Sequence, residues 1–113
     1  MAGSLAGVKV LDLTWSAAGP IAMKWLGEHG ATVVHVESRT RIDISRRSGM
    51  FAKGIPDPDR SGVFAAQNGS KLGITINLGN PAGRDVVRRL AAWADVFAET
   101  FSPGVIARIG ARL

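Results

Sequence analysis

The feature that most constrains the fold is a regular alternation of short apolar runs with helix-forming segments. The runs are the right length for β-strands, and β-branched residues are frequent in them. They cover residues 8–13, 31–36, 73–78 and 94–99. Strands that alternate with helices form a parallel sheet with right-handed crossovers. The sequence therefore predicts an α/β fold, with a parallel sheet and flanking helices.

The helices between these strands carry clear start signals. Each of the three predicted starts has a proline, which suits the first helical position. They are Gly19-Pro20, Asn80-Pro81 and Ser102-Pro103. The last of them begins a helix over residues 104–109, and a helical turn is predicted at 62–68. Apolar spacing predicts a buried face on each of the first two helices. These faces are Ile21, Ala22, Trp25 and Leu26, and then Val86, Val87, Leu90 and Ala94.

Composition limits the domain organisation and the cell compartment. A chain of 113 residues, 46% of them hydrophobic, is long enough for one domain over 1–113 with one core. Residues 38–61 show no periodicity and are predicted to form a long loop. We expect no secretory signal, and no apolar run reaches the length of a membrane span. The lack of cysteine agrees with a reducing compartment, so a cytoplasmic location is expected.

The net charge of +5 allows several kinds of partner. A basic chain can bind nucleic acid, an anionic membrane or a phosphorylated small molecule, or simply carry a solvated basic surface. The arginines are scattered and tyrosine is absent, so neither nucleic acid nor a membrane is expected as a partner. The strongest basic run, residues 39–47, follows the second strand and suits phosphate.

The ends of the predicted strands are the candidate ligand site. Ligands of parallel α/β sheets collect at the carboxyl ends of the strands, here residues 14–19, 37–41, 78–80 and 99–103. Helix starts there offer free backbone N–H groups to phosphate. The sequence has neither the glycine fingerprint of a dinucleotide site nor a P-loop. No metal is expected, because His29 and His35 suit structural roles, and Asp12 suits hydrogen bonding to nearby backbone. The residues by themselves leave the ligand open.

Four stretches carry a resemblance to a known family. They are LAGVKVLDLTWSAAGP, LGEHGATVVHVES, NGSKLGITINLGNPAGRDVVRRL and ADVFAETFSPGVIARIG. In order and spacing the chain resembles the N-terminal part of the family III CoA-transferases (CaiB/BaiF-like), which also contain the α-methylacyl-CoA racemases. The resemblance implies a Rossmann-like large domain and a homodimer of two interlocked ring-shaped subunits. It also implies transfer of CoA from an acyl-CoA to a carboxylic acid through a thioester on an Asp carboxylate, with no tightly bound cofactor.

The resemblance also implies which residues contact CoA. The expected set comes from every strand end: Ala17, Ala18, Ser38, Arg39, Ile76, Asn77, Leu78, Gly79, Thr100, Phe101, Ser102, Arg108 and Ile109. The family often has arginine directly after the equivalent of Glu37, where this chain has Ser38. Arg39 or Arg41 would then have to substitute for it.

The family's catalytic residues would lie beyond residue 113. We therefore expect this chain to be an N-terminal portion without transferase activity of its own, and to leave apolar surface uncovered, which favours self-association. Two alternatives stay open. One is the racemase branch of the family, and the other is a non-catalytic α/β module that binds a nucleotide or a protein. The residues do not identify the acyl group.

Overall fold

The computed structural model describes residues 3–108 and contains one parallel sheet. Its four strands are β1 Lys9–Leu13, β2 Thr32–Glu37, β3 Leu72–Thr75 and β4 Val96–Glu99. They are arranged in the order β3-β2-β1-β4, and all three pairings are parallel. The predicted parallel α/β fold is thereby confirmed. The third strand is three residues shorter at its carboxyl end than predicted, because residues 76–78 leave the sheet.

The helices begin at the predicted signals or within two residues of them. They are α1 Ala18–Glu28, α2 Gly62–Gln67, α3 Pro81–Trp93 and α4 Val105–Arg108. The side chain of Asn80 accepts a hydrogen bond from the N–H of Ala82 at 2.9 Å, and Pro81 occupies the first turn of α3. The segment predicted as a long loop holds three short 3₁₀ turns, Ile44–Arg47, Ala52–Gly54 and Pro58–Arg60.

The core lies on both faces of the sheet, as the alternation of side chains along β1 requires. On one face Leu11 and Leu13 pack with Val87 and Ala91 of α3. On the other face Val10 packs with Val33 and Ala31, and Met23 and Leu26 of α1 lie against them. Right-handed crossovers explain this arrangement, since β1–α1–β2 and β3–α3–β4 run in opposite directions across the sheet. The carboxyl ends of the strands stay open between the two helices.

The buried face of α3 is confirmed, whereas the predicted face of α1 is correct at Leu26 and wrong at Ile21, Ala22 and Trp25. Ile21 and Trp25 are 41% and 55% exposed. The residues that turn inward are Pro20, Met23 and Leu26. A close contact sets this orientation: a Cβ on Gly27 would lie 2.4 Å from the carbonyl oxygen of Ser70. The helix thus packs its glycine-containing side, and not its most apolar side, against the rest of the protein.

Candidate functional site

A cleft of about 800 Å³ lies at the carboxyl edge of the sheet. It is lined from three segments, one after β2, one between β3 and α3, and one after β4. The lining consists of Ser38, Thr40, Arg41, Asn77, Leu78, Gly79, Arg84, Thr100, Phe101, Ser102, Val105 and Arg108. Three of these residues are arginines, and no Asp or Glu of the described residues lines the cleft. An anionic ligand therefore suits it.

The cleft adjoins the point where the order of the strands reverses. The chain moves from β1 to β2 and β3 on one side, and β4 returns to the other side of β1. Such switch points are the usual ligand sites of open parallel sheets. The end of β4 is fixed to the turn after β1, because the N–H of Trp15 donates a 2.9 Å hydrogen bond to Oγ1 of Thr100. The Trp15 and Phe101 rings meet edge to face, with centroids 6.0 Å apart.

Gly19 permits this close approach of the two strand ends. A Cβ at that position would lie 2.8 Å from Cγ2 of Thr100 and 2.5 Å from Cβ of Thr14. Real Cβ atoms essentially never approach so closely. The small residues after β1 therefore pack the turn against β4, and the ligand cleft lies on the other side of Thr100.

The segment after β2 is fixed by two carboxylates. Asp43 is fully buried, and it accepts hydrogen bonds from the N–H and the hydroxyl of Ser45 at 3.0 and 2.9 Å. The N–H of Ser16 donates to the same carboxylate oxygen at 3.2 Å, which ties the segment to the turn after β1.

Glu37 and Arg46 form the second attachment. Nε and Nη2 of Arg46 donate to the two carboxylate oxygens of Glu37 at 2.8 and 2.7 Å, and the guanidinium lies 3.6 Å from the ring centroid of Phe64. Burial raises the pKa of Glu37, but the hydrogen bonds and the charge of Arg46 outweigh it, so the pKa lies below its usual value. Arg46 is thus committed to a structural ion pair.

A buried polar cluster surrounds Asp12 of β1, and none of its residues lines the cleft. Its carboxylate accepts hydrogen bonds from the N–H and the hydroxyl of Thr14, as the sequence indicated for a backbone anchor. Lys71 and His35 reach it at 2.7 and 3.1 Å. Burial raises the pKa of Asp12, but the hydrogen bonds of His35, Lys71 and Thr14 outweigh it, so the pKa lies below its usual value. Nε2 of His35 is buried, and within residues 3–108 it has no hydrogen-bond partner.

The structure brings together most of the residues that were predicted to contact CoA. Eight of them line the cleft: Ser38, Asn77, Leu78, Gly79, Thr100, Phe101, Ser102 and Arg108. Arg39 lines a separate pocket of about 500 Å³, together with Glu37, Arg46 and Asp59. Ile76 is 6% exposed and packs in the core.

The remaining predicted residues lie elsewhere. Ala17 and Ala18 are exposed at the start of α1 and do not line the cleft. Ile109 lies outside the described residues.

Three residues that line the cleft were missed in the sequence: Thr40, Arg84 and Val105. The position of Arg84 could have indicated a place in the cleft, since it lies in the first turn of a helix that begins shortly after a strand end. Its place on the polar side of α3 favoured a solvent-facing interpretation instead. Arg41 appeared only as one of two substitutes for the family's arginine, and the structure places it in the cleft.

Other kinds of site find no support in the part of the chain that the structure describes. No group of three or more His, Cys, Asp or Glu residues there is arranged to hold a metal ion. None of the described helices is long and apolar enough to cross a membrane.

Comparison with known proteins decides the family. The family model described as "CoA-transferase family III" matches residues 5–112. This chain belongs to CoA-transferase family III. The family assignment agrees with the resemblance found in the sequence, and it covers nearly the whole chain.

Curated family III relatives are similar over most of this chain. A formyl-CoA:oxalate CoA-transferase of Afipia carboxidovorans is 37% identical over 110 residues, which are 97% of this chain and 25% of the relative. The human succinyl-CoA:glutarate CoA-transferase is 38% identical over 106 residues, 94% of this chain and 23% of the relative. The chain thus spans about a quarter of the length of these relatives, and it corresponds to their N-terminal part.

Two solved structures have the same fold as this chain. A CaiB/BaiF family protein from Brucella suis superimposes with a TM-score of 0.88 at 36% identity, over 100% of this chain and 30% of that protein. A hypothetical protein from Mycobacterium tuberculosis gives a TM-score of 0.82 at 32% identity, over 98% of this chain and 29% of its own length.

Proposed function

We propose that this chain forms the CoA-binding N-terminal part of an enzyme that moves CoA between an acyl-CoA and a carboxylic acid. The observation that carries the proposal is the cleft at the carboxyl edge of the sheet, with three arginines and no carboxylate among the described residues of its lining. CoA carries a diphosphate and a further phosphate on its ribose, and guanidinium groups pair with phosphate through two parallel hydrogen bonds. The volume of about 800 Å³ lies within the range of small-molecule sites.

Several properties of the whole enzyme belong to this proposal. The curated relatives quoted above are named as CoA-transferases, which supports the transferase branch of the family over the racemase branch. An acyl-CoA and a carboxylic acid would then be the substrates, with CoA as a substrate and not a resident cofactor. A homodimer and a cytoplasmic location remain predictions.

Binding of CoA to this chain tests the proposal. Isothermal titration with CoA, ATP and NAD should give the highest affinity for CoA, because the three arginines of the cleft suit a ligand with a diphosphate and a separate ribose phosphate. Ser102→Tyr places a large ring in the cleft and should abolish the binding. Ala92→Tyr, on the exposed side of α3, is the matched control and should leave it intact. Equal affinities for all three nucleotides would instead favour a general nucleotide-binding module.

We expect no CoA transfer by this chain alone. Attack on a thioester needs a carboxylate placed beside the reacting carbon, and none of the described carboxylates lines the cleft. An assay with an acyl-CoA and a free acid measures the exchange, with a full-length family III enzyme as positive control. Exchange catalysed by the 113 residues would mean that the chemistry is carried by a different group.

A further inference from the structure

We infer that Arg41 and Arg84 bind the phosphate groups of the CoA ligand and that Arg39 does not. The inference rests on the proposed function, which it makes specific. Two arginines, Arg39 and Arg41, closely follow Ser38 at the end of β2. The nearest arginine in the sequence is Arg39, so sequence distance alone would select the wrong residue.

Two arginines of the segment after β2, Arg39 and Arg41, lie in different pockets. Ser38 and Thr40 form a compact turn, in which the two hydroxyl oxygens are 2.8 Å apart and the N–H of Thr40 donates to Oγ of Ser38 at 3.2 Å. Arg39 lines the smaller pocket and Arg41 lines the larger cleft. Ser38 lines both spaces.

The charges of the two pockets decide which of them suits phosphate. The smaller pocket contains Glu37 and Asp59 beside Arg39 and Arg46, so its formal charges cancel. A phosphate there would meet two carboxylates. The cleft has the three positive charges of Arg41, Arg84 and Arg108, and no carboxylate from the described residues. Phosphate therefore favours the cleft and the guanidinium of Arg41.

Arg84 lines the cleft from the start of α3, whereas Arg41 lines it from the segment after β2. Arg84 lies in the first turn of α3, and its Nη1 donates to the carbonyl oxygen of Leu78 at 3.4 Å. One long hydrogen bond leaves most of its five donors available. Arg88 and Arg89, further along α3, do not line the cleft. Two guanidinium groups from separate segments suit a ligand with more than one phosphate group.

Four alanine variants of this chain separate the roles. They are Arg41→Ala, Arg84→Ala, Arg39→Ala and, as the control on the exposed side of α3, Arg89→Ala. Each is titrated calorimetrically with CoA and with ADP, and circular dichroism verifies the fold. We expect Arg41→Ala and Arg84→Ala each to weaken both ligands about tenfold, the effect of losing a charged hydrogen bond. Arg39→Ala and Arg89→Ala should stay within about twofold of the unmodified chain.

Two lysine variants, which keep the positive charge, test whether the arginines bind phosphate directly. A purely structural role of the arginines would not predict the order of CoA affinities expected for them. Arg41→Lys and Arg84→Lys keep the charge but lose the two-pronged hydrogen bonding, so each should bind more tightly than its alanine variant and less tightly than the unmodified chain.

The possible results distinguish the inference from the proposed function. Unchanged CoA binding in Arg41→Ala and Arg84→Ala overturns the inference and leaves the proposed function standing, as does a loss in Arg39→Ala equal to that in Arg41→Ala. If both arginines matter for ADP but CoA binds no better than ADP, the phosphate assignment stands and the CoA function fails. Failure of the unmodified chain to bind either ligand overturns both.

Discussion

Lys71 and Asp12 form an ion pair inside the protein. Nζ of Lys71 lies 2.7 Å from Oδ2 of Asp12, and the two side chains are 2% and 0% exposed. Asp12 is on β1, Lys71 directly precedes β3, and these two strands are separated by β2 in the sheet. His35 of β2 reaches the same oxygen at 3.1 Å. A single carboxylate therefore links three neighbouring elements inside the protein.

Lys71→Met should be strongly destabilising, because it leaves the carboxylate of Asp12 buried without a cation. Removing one partner of a buried pair costs about 3–5 kcal/mol of unfolding free energy. Urea denaturation followed by circular dichroism measures this change. The double variant Asp12→Asn with Lys71→Met should recover part of the loss, since no uncompensated charge then remains.

The control for Lys71→Met is a solvent-exposed ion pair. Asp85 and Arg88 lie 3.5 Å apart, with side chains 64% and 49% exposed. Asp85→Asn should therefore change the unfolding free energy by about 1 kcal/mol or less. A Lys71→Met effect no larger than that of Asp85→Asn would contradict a structural role for the buried pair.

Acid should destabilise the protein through Asp12 and Glu37. The pKa of each lies below its ordinary value, 3.8 and 4.5 respectively, in the folded state. As the pH falls through the ordinary values, the unfolded chain takes up protons before the folded one, so stability is lost progressively toward the folded-state pKa values. Above the ordinary values this contribution is fully present. Urea titrations over the acid range should show the decline, and Glu37→Gln should make it shallower. An equally steep decline in Glu37→Gln would exclude a contribution from the Arg46 pair.

The sequence was informative about elements whose signals are local. The β-branched runs and the Asn80-Pro81 start predict the strands and α3 because strand periodicity and helix capping involve only neighbouring residues. The orientation of α1 was not predictable in this way. It depends on the contact between Gly27 and Ser70, which lie far apart along the chain, and this contact outweighs the burial of Trp25.

The candidate site shows the same division between features with local signals, which were predicted, and contacts between distant residues, which were not. Parallel strand order by itself locates the cleft at the carboxyl edge of the sheet. The hydrogen bonds that Thr14 donates to Asp12 are local and were anticipated, but the ion pair of Asp12 with Lys71 was not. Arg39 and Arg41 line different pockets because of the turn formed by Ser38 and Thr40. No periodicity in the sequence indicates which arginine lines which pocket.

The corrected face of α1 predicts a contrast between two neighbouring residues. Leu26 packs against the core cluster of Val10 and Val33, whereas Trp25 is 55% exposed. Leu26→Ala should lower the unfolding free energy by about 2 kcal/mol, at the low end for buried leucine because the side chain is only partly buried. Trp25→Ala should cost less than about 1 kcal/mol despite the larger side chain removed. Urea denaturation of both variants tests this, and a larger loss from Trp25→Ala would restore the face that apolar spacing predicts.

Gly83→Ala should lower both stability and ligand binding, although alanine is the better helix former. In an exposed helix, replacing glycine with alanine would raise the unfolding free energy by about 1 kcal/mol. Here the added Cβ would lie 2.1 Å from the carbonyl oxygen of Asn77, a backbone atom that cannot rotate aside. The helix must move away from the turn that lines the cleft, at a net cost of about 1–3 kcal/mol.

Ala92→Gly, on the exposed side of α3, is the control for helix propensity alone. Ala92→Gly should lower the unfolding free energy by up to about 1 kcal/mol and leave the affinity for CoA unchanged. Urea denaturation and calorimetry on the two variants separate the effects. Gly83→Ala should weaken CoA binding because Asn77, Leu78 and Gly79 shift together with the start of α3. A stabilised Gly83→Ala protein with full affinity would show that α3 does not position this wall of the cleft.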